Sequence, residues 1–103
     1  MSASTNKAFD SIDNLIFVEG LRITALGFQF DLDLMTIYLN TRVALTQDIS
    51  TYGSLKDVDR SALLKYELIG DGVGVHWPLL NEDLSLRGFV RNELRKVVGK
   101  MHV

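Results

Sequence analysis

The segment that most restricts the fold is Gly70-Asp71-Gly72-Val73-Gly74-Val75-His76-Trp77-Pro78, which sets three glycines and a proline around two bulky rings. Asp71-Gly72 is a strong hairpin signal. A two-residue type I′ turn needs positive φ at both central positions, which Asp tolerates and Gly adopts freely. Residues 66–69 in front have strand character, and residues 73–77 form the returning strand. Pro78 has no N–H to give to a ladder and ends it. On an alternating strand His76 and Trp77 point to opposite faces. Trp77 has the larger area to bury and is assigned to the core, so His76 faces outward.

Upstream, residues 22–30 alternate with a change of phase at Ala25-Leu26, which predicts either a bulge or a strand buried on both faces. Asp31 and Asp33 suit a turn. Residues 34–40 read as a second strand with Met35, Ile37 and Leu39 on one face. Residues 42–46 read as a third, with Val43 and Leu45 together. Short connections make these three an antiparallel meander. Ile49, Tyr52 and Leu55 recur every third residue and predict a short helical turn. Asp57 or Asp59 then caps a short helix containing Leu63 and Leu64. Near the start, Phe9, Ile12, Leu15 and Ile16 have helical spacing, yet residues 15–18 also read as a buried strand; periodicity alone leaves both open. Residues 1–8 are expected to be a flexible N-terminus, and residues 9–103 a single domain.

The clearest helix is the last. Ser85 is a good N-cap, and Glu82 and Asp83 bring negative charge to the positive end of the dipole. Leu86, Phe89, Val90, Leu94, Val97 and Val98 mark an apolar stripe. Arg87, Arg91 and Arg95, spaced by four, mark another face. Gly88 weakens the first turn by roughly 1 kcal/mol relative to Ala, and Gly99 suits the C′ position.

Charge follows this division. Residues 1–86 carry six Lys/Arg against twelve Asp/Glu, and residues 87–103 carry five against one. A basic end on an acidic body can be an interaction tail; cations at a helix C-terminus also simply complement its dipole. At 103 residues, 47% hydrophobic and 23% charged, the chain has ordinary globular composition and the length of one domain. It contains no cysteine, which excludes disulfides and thiolate metal sites. No apolar run approaches the roughly 18 residues of a membrane span, and residues 1–7 lack the apolar region of a secretory signal. A cytoplasmic protein without membrane contact is therefore expected.

Chemistry finds little support in the residues. The glycines at 70, 72 and 74 have the wrong spacing for a dinucleotide loop and precede a strand. No Ser stands on a G-x-S-x-G elbow. Asp31/Asp33 and Asp57/Asp59 sit where turns and caps want Asp. His76 can pair with Asp71, Glu82 or Asp83, or donate to a loop carbonyl and lock the turn after Pro78. A metal site usually needs three or four protein ligands, so neither metal nor cofactor is expected.

The run from Tyr66 to Phe89, Tyr-Glu-Leu-Ile-Gly-Asp-Gly-Val-Gly-Val-His-Trp-Pro-Leu-Leu-Asn-Glu-Asp-Leu-Ser-Leu-Arg-Gly-Phe, closely resembles the C-terminal signature of the bacterial domain of unknown function 2442. That signature is a Gly-rich turn, Ile/Val-His-Trp-Pro, an acidic triplet and a helix begun by Ser. Asn81 stands where the first acid is common. The resemblance covers about residues 20–92, and Gly70, Asp71, Gly72, Gly74, Trp77 and Ser85 are its structural signature. It implies an α+β domain: a three-stranded meander and a C-terminal hairpin packed with short helices and a C-terminal amphipathic helix. It implies no known activity. Members often accompany another small family in what looks like a toxin–antitoxin arrangement, so the resemblance implies a non-enzymatic, antidote-like partner of a small protein, or a homo-oligomer. The interaction surface is assigned to His76, Pro78, Glu82, Asp83, Arg87, Arg91 and Arg95. The alternative is a nucleic-acid-binding accessory that uses the basic helix.

Overall fold

A computed structural model describes residues 7–100, and side chains from residue 11 to residue 99. The flexible segment expected at the N-terminus lies largely outside the described residues. Helix α1 (Lys7–Phe17) settles the ambiguity at the start: residues 15–17 continue a helix, with Ile12 and Ile16 buried. Strands β1 (Ile23–Gln29), β2 (Leu34–Leu39) and β3 (Ala44–Asp48) form an antiparallel meander in that order. After a 3₁₀ turn at Ile49–Thr51 comes the short helix α2 (Arg60–Leu64). A second antiparallel sheet, β4 (Glu67–Ile69), β5 (Gly74–Trp77) and β6 (Glu82–Ser85), leads into α3 (Leu86–Lys100). The architecture is α+β, and no helix among the described residues is long and apolar enough to cross a membrane.

The phase change in β1 is a bulge. Register with β2 slips between Ile23 and Ala25, so that Ile23 opposes Leu39 while Leu26 opposes Ile37. One extra residue thus puts Ile23 and Leu26 on the same, buried face. Met35, Ile37 and Leu39 occupy that face of β2 as their alternation requires. The third strand starts two residues later than its sequence pattern predicts, and Val43 is exposed in the turn. The shift brings Gln47 into the strand opposite Met35, where it is the only polar residue in the buried core among the described residues. Ile49, Tyr52 and Leu55 are buried below it.

Three more local expectations change. Ile69 pairs with Gly74, so the hairpin loop has four residues, Gly70 to Val73, instead of a two-residue Asp71-Gly72 turn. Gly70, Asp71 and Gly72 all have positive φ there. The acidic segment after Pro78 is a strand, not a loop, and it completes the second sheet. Asn81 has a φ of 50°, a left-handed conformation that Asn accepts more readily than most residues. Gly99 lies inside α3, not beyond its end.

One apolar core joins both sheets and all three helices. Trp77, Phe89, Leu86, Val75, Met35, Ile37 and Leu55 are fully buried in it. The Trp77 indole N–H donates to the Leu63 carbonyl at 3.0 Å, which satisfies its polar atom and fixes α2 over β5. Along the seam between the sheets, Ile23 N–H donates to the Gly72 carbonyl at 2.8 Å. The Tyr66 hydroxyl accepts from Leu26 N–H at 3.0 Å and donates to the Leu26 carbonyl at 3.3 Å. Gly72 has φ +105°, and a Cβ on it would lie 2.3 Å from the Ile23 carbonyl oxygen. Gly72→Ala is therefore expected to cost about 2–4 kcal/mol through strain and loss of the seam, read as a lower urea midpoint with unchanged slope. Gly53→Ala, which meets nothing within 4 Å, is the control and should stay near wild type.

Candidate functional site

The outer face of the second sheet carries the residue on which the chemistry question turns. In cross-strand register Glu67 opposes His76, and His76 opposes Asp83. These three residues form one row across the open face. His76 Nδ1 lies 2.5 Å from Asp83 Oδ1, with the imidazole partly sheltered and the carboxylate largely exposed. The histidine thus takes a carboxylate partner, not the loop carbonyl. Neighbouring strands set this pairing, since residues directly opposite in an antiparallel ladder bring their side chains within contact. Sequence reasoning offered Asp71, Glu82 and Asp83 as partners. The four-residue β5–β6 connection decides for Asp83: it places Glu82 opposite Trp77 and Asp83 opposite His76. Pro78 opens that connection and is exposed; Leu80 N–H donates to the Trp77 carbonyl at 3.1 Å to close the turn. Among the described residues, no three His, Cys, Asp or Glu gather as a metal site.

Beside this row the sheet forms a groove of about 440 Å³ with the first turns of α3. Ile69, Val73, Leu84, Tyr52 and Phe89 line it, Gly74 and Gly88 leave it open, and Asp83 and Ser85 bound it. Ser85 caps α3 as expected, its Oγ accepting from Gly88 N–H at 3.0 Å. Gly88 has only that oxygen near its absent Cβ, at 3.3 Å. Its lack of a side chain is what lets the groove reach the helix backbone.

The arginines share a helix face but differ in surroundings. Arg87 turns to α1, with its Nε 3.4 Å from Asp13 Oδ1, and is packed between helices. Arg91 and Arg95 are exposed. The expected apolar stripe is also divided. Leu86 and Phe89 are fully buried and Val90 partly so, but Leu94, Val97 and Val98 are each 51% exposed.

A polar strap that sequence reasoning missed holds the middle of α3 to β3. Gln47 Nε2 donates to the Phe89 carbonyl at 2.9 Å and to Glu93 at 3.1 Å. The Tyr52 hydroxyl donates to Gln47 Oε1 and accepts from Asn92 Nδ2 at 3.0 Å. Lys96 Nζ donates to the Thr46 carbonyl at 2.6 Å and pairs with Glu93 at 3.3 Å. A shallow groove of about 490 Å³ opens beside the strap, lined by Thr46, Asp48, Thr51, Asn92 and Arg95 among others. The one available signal was Gln47 on the same alternation as Leu45, a polar residue where the strand faces inward.

Burial raises the Tyr52 pKa above its ordinary value of 10.0, opposed by the Asn92 hydrogen bond and reinforced by Glu93. A phenol whose pKa is raised on folding contributes stability that is complete below pH 10 and is lost as pH climbs through the folded value. Wild type is therefore expected to lose more stability above pH 10 than Tyr52→Phe does, in paired urea titrations across that range. At neutral pH, Gln47→Ala should cost about 2–3 kcal/mol, since it leaves the Tyr52 hydroxyl and the Phe89 carbonyl without their buried partner.

Comparison with known proteins agrees with this fold. The family model described as "protein of unknown function (DUF2442)" matches residues 25–95. A crystal structure of a protein of unknown function from Rhodospirillum rubrum superimposes with a TM-score of 0.63 at 22% identity, over 70% of this chain and 87% of that one. A solution structure of an uncharacterised protein from Chromobacterium violaceum superimposes with a TM-score of 0.65 at 17% identity, over 85% and 80% of the two chains. At such identities the likeness establishes the fold. No curated protein matches the chain.

Proposed function

Because the chain belongs to the DUF2442 family of proteins of unknown function, whose description names no reaction, we propose that it is a non-enzymatic protein-interaction module. In its sharper form the proposal makes it the antidote-like member of a pair with a small toxin-like protein. The observation that carries the reading is the division of α3. Its first turns complete the core, while Leu94, Val97 and Val98 stand half exposed on the next turns, flanked by Arg91 and Arg95.

Three large apolar side chains on one helix end keep about half of their area in water. Completing the burial of each would gain roughly 1 kcal/mol. A contiguous apolar patch with a charged rim is the usual form of a protein-docking surface. The Glu67–His76–Asp83 row and the adjoining groove supply a second, acidic part of the exposed surface. A carboxylate-held histidine is also an arrangement that catalysis uses, but the groove brings no nucleophile or second ionisable group to the imidazole within any described hydrogen bond. The nucleic-acid alternative would draw on the same helix end. Against it, Lys96 is engaged with Thr46 and Glu93, and the body of the chain is acidic.

Co-expression with the product of the adjacent gene is expected to give a complex that survives size-exclusion chromatography. Leu94→Glu, at a side chain already half exposed, should abolish that complex while leaving the circular-dichroism spectrum unchanged and the urea midpoint little changed. If no partner is retained, or if Leu94→Glu binds as wild type does, this reading of α3 is wrong.

A further inference from the structure

We propose that the outer edge of β6 is a docking site for an extended peptide of alternating basic and apolar residues, which joins the second sheet as an added antiparallel strand. This surface is separate from the end of α3, and the inference stands without that reading.

Hydrogen-bond parity along β6 shows what the edge offers. Leu86 N–H donates to the Val73 carbonyl at 2.8 Å, and Gly74 opposes Ser85. In an antiparallel ladder every second opposed pair exchanges bonds, so Leu84 bonds Val75 and Glu82 bonds Trp77. The main-chain groups of Asp83 and Ser85 therefore point away from β5, to the outside of the sheet. The Ser85 carbonyl begins the hydrogen bonding of α3, as that of a cap does. Asp83 N–H reaches its neighbour Glu82 at 3.2 Å. The Asp83 carbonyl and the Ser85 N–H have no hydrogen-bond partner among the described residues.

The other sheet edges are treated differently. On β1, the Gly72 carbonyl takes Ile23 N–H and the Tyr66 hydroxyl takes both groups of Leu26. β4 lies along the seam with β1. On β3, the Lys96 ammonium takes the outward carbonyl of Thr46. Main-chain groups left open on a strand edge are complemented by another main chain.

Side-chain alternation then states the chemistry of the guest. A residue opposite Asp83 shares the open face with a carboxylate that is 64% exposed although His76 holds one of its oxygens. A cation suits that place. The next residue falls on the face of Leu84, where Tyr52 and Phe89 also line the groove and Gly88 leaves it open. A large apolar side chain suits that one. The same acids exclude a second copy of this chain as the guest: two paired β6 edges would gather Glu82 and Asp83 of both copies, and like charges across strands are destabilising.

The probe is the blocked peptide Lys-Leu-Lys-Leu-Lys, titrated into the full chain while amide exchange is followed by NMR. Binding is expected at millimolar peptide, with exchange of the Ser85 N–H slowed about tenfold or more as it gains a partner. In an antiparallel pair the residues opposite Asp83 and Ser85 are those that exchange bonds with β6. N-methylation of the lysines should therefore weaken binding at least about tenfold, whereas N-methylation of the leucines should leave it. The peptide Glu-Leu-Glu-Leu-Glu, and the variant Asp83→Lys with the original peptide, should each lose about tenfold or more. The peptide arms decide the matter whether or not Asp83→Lys folds. Absence of binding at millimolar peptide overturns the inference. So does binding that survives N-methylation of the lysines, which is a contact of charges alone, or that leaves Ser85 exchange unchanged. Protection of the Ser85 N–H in the concentrated chain without peptide makes a second copy the occupant and overturns it too. Leu94→Glu is expected to bind the peptide as wild type does; a loss there places the peptide on α3 and overturns the edge as its site.

Discussion

The contact on which the rest of the structure depends is the approach of Gly72 to Ile23. A small three-stranded sheet needs its hydrophobic face packed to be stable, and here the two sheets share one core and meet at their edges. At that seam a backbone hydrogen bond of 2.8 Å joins Ile23 to Gly72, and the two backbones lie too close for any side chain at position 72. Tyr66, just before β4, adds a second tie by bonding both the N–H and the carbonyl of Leu26. It also occupies the polar groups of an edge strand that would otherwise be open to pairing. With the seam fixed, β5 lies across the core, Trp77 reaches Leu63, and β6 delivers α3 against the meander. The glycine-rich segment is thus a joint between sheets as much as a turn within one.

α3 then answers to two different demands. Its first turns are apolar and complete the core; its middle is held by Gln47, Tyr52, Asn92 and Glu93. A buried amide is tolerable only when its hydrogen-bonding groups are met, and Gln47 meets them by spanning from β3 to the helix backbone and to Glu93. That arrangement fixes the rotation of α3 about its axis more tightly than apolar packing alone would, because hydrogen bonds are directional. The rotation decides which side chains face outward on the last turns. The strap therefore positions the exposed ridge without being part of it.

What was legible in the sequence follows physical range. The core face of β2, the outward turn of His76, the burial of Trp77 and the Ser85 cap all depend on local alternation or on groups a few residues apart. They could be read from residue types directly. The errors arose where a distant contact chose among local options. Loop length at Asp71-Gly72 is set by where Gly72 must meet Ile23, and a two-residue turn cannot deliver it there. β6 exists because Glu82–Ser85 finds β5 as a partner, although its residues alone read as a charged loop. The apolar periodicity of α3 was real, but periodicity reports a face and not what covers it: Leu86 and Phe89 are fully buried, whereas Leu94, Val97 and Val98 are half exposed. Arg87, Arg91 and Arg95 share a spacing, yet Asp13 on another helix removes the first from the group.

The same distinction bears on function. A histidine held by a carboxylate reads as chemistry when taken alone, but its row on the sheet gives it a different context. Glu67, His76 and Asp83 are cross-strand neighbours on an exposed antiparallel face, where opposite or hydrogen-bonding pairs contribute to sheet stability. The pairing is therefore accounted for by the ladder before any substrate is invoked. The ridge on α3 has no such internal account. Leu94, Val97 and Val98 are half exposed, and the apolar area they leave in water adds nothing to folding stability. Features explained by the fold carry little information about function, and those the fold does not use carry more. By that criterion the proposed interaction surface belongs to the helix end and not to the histidine.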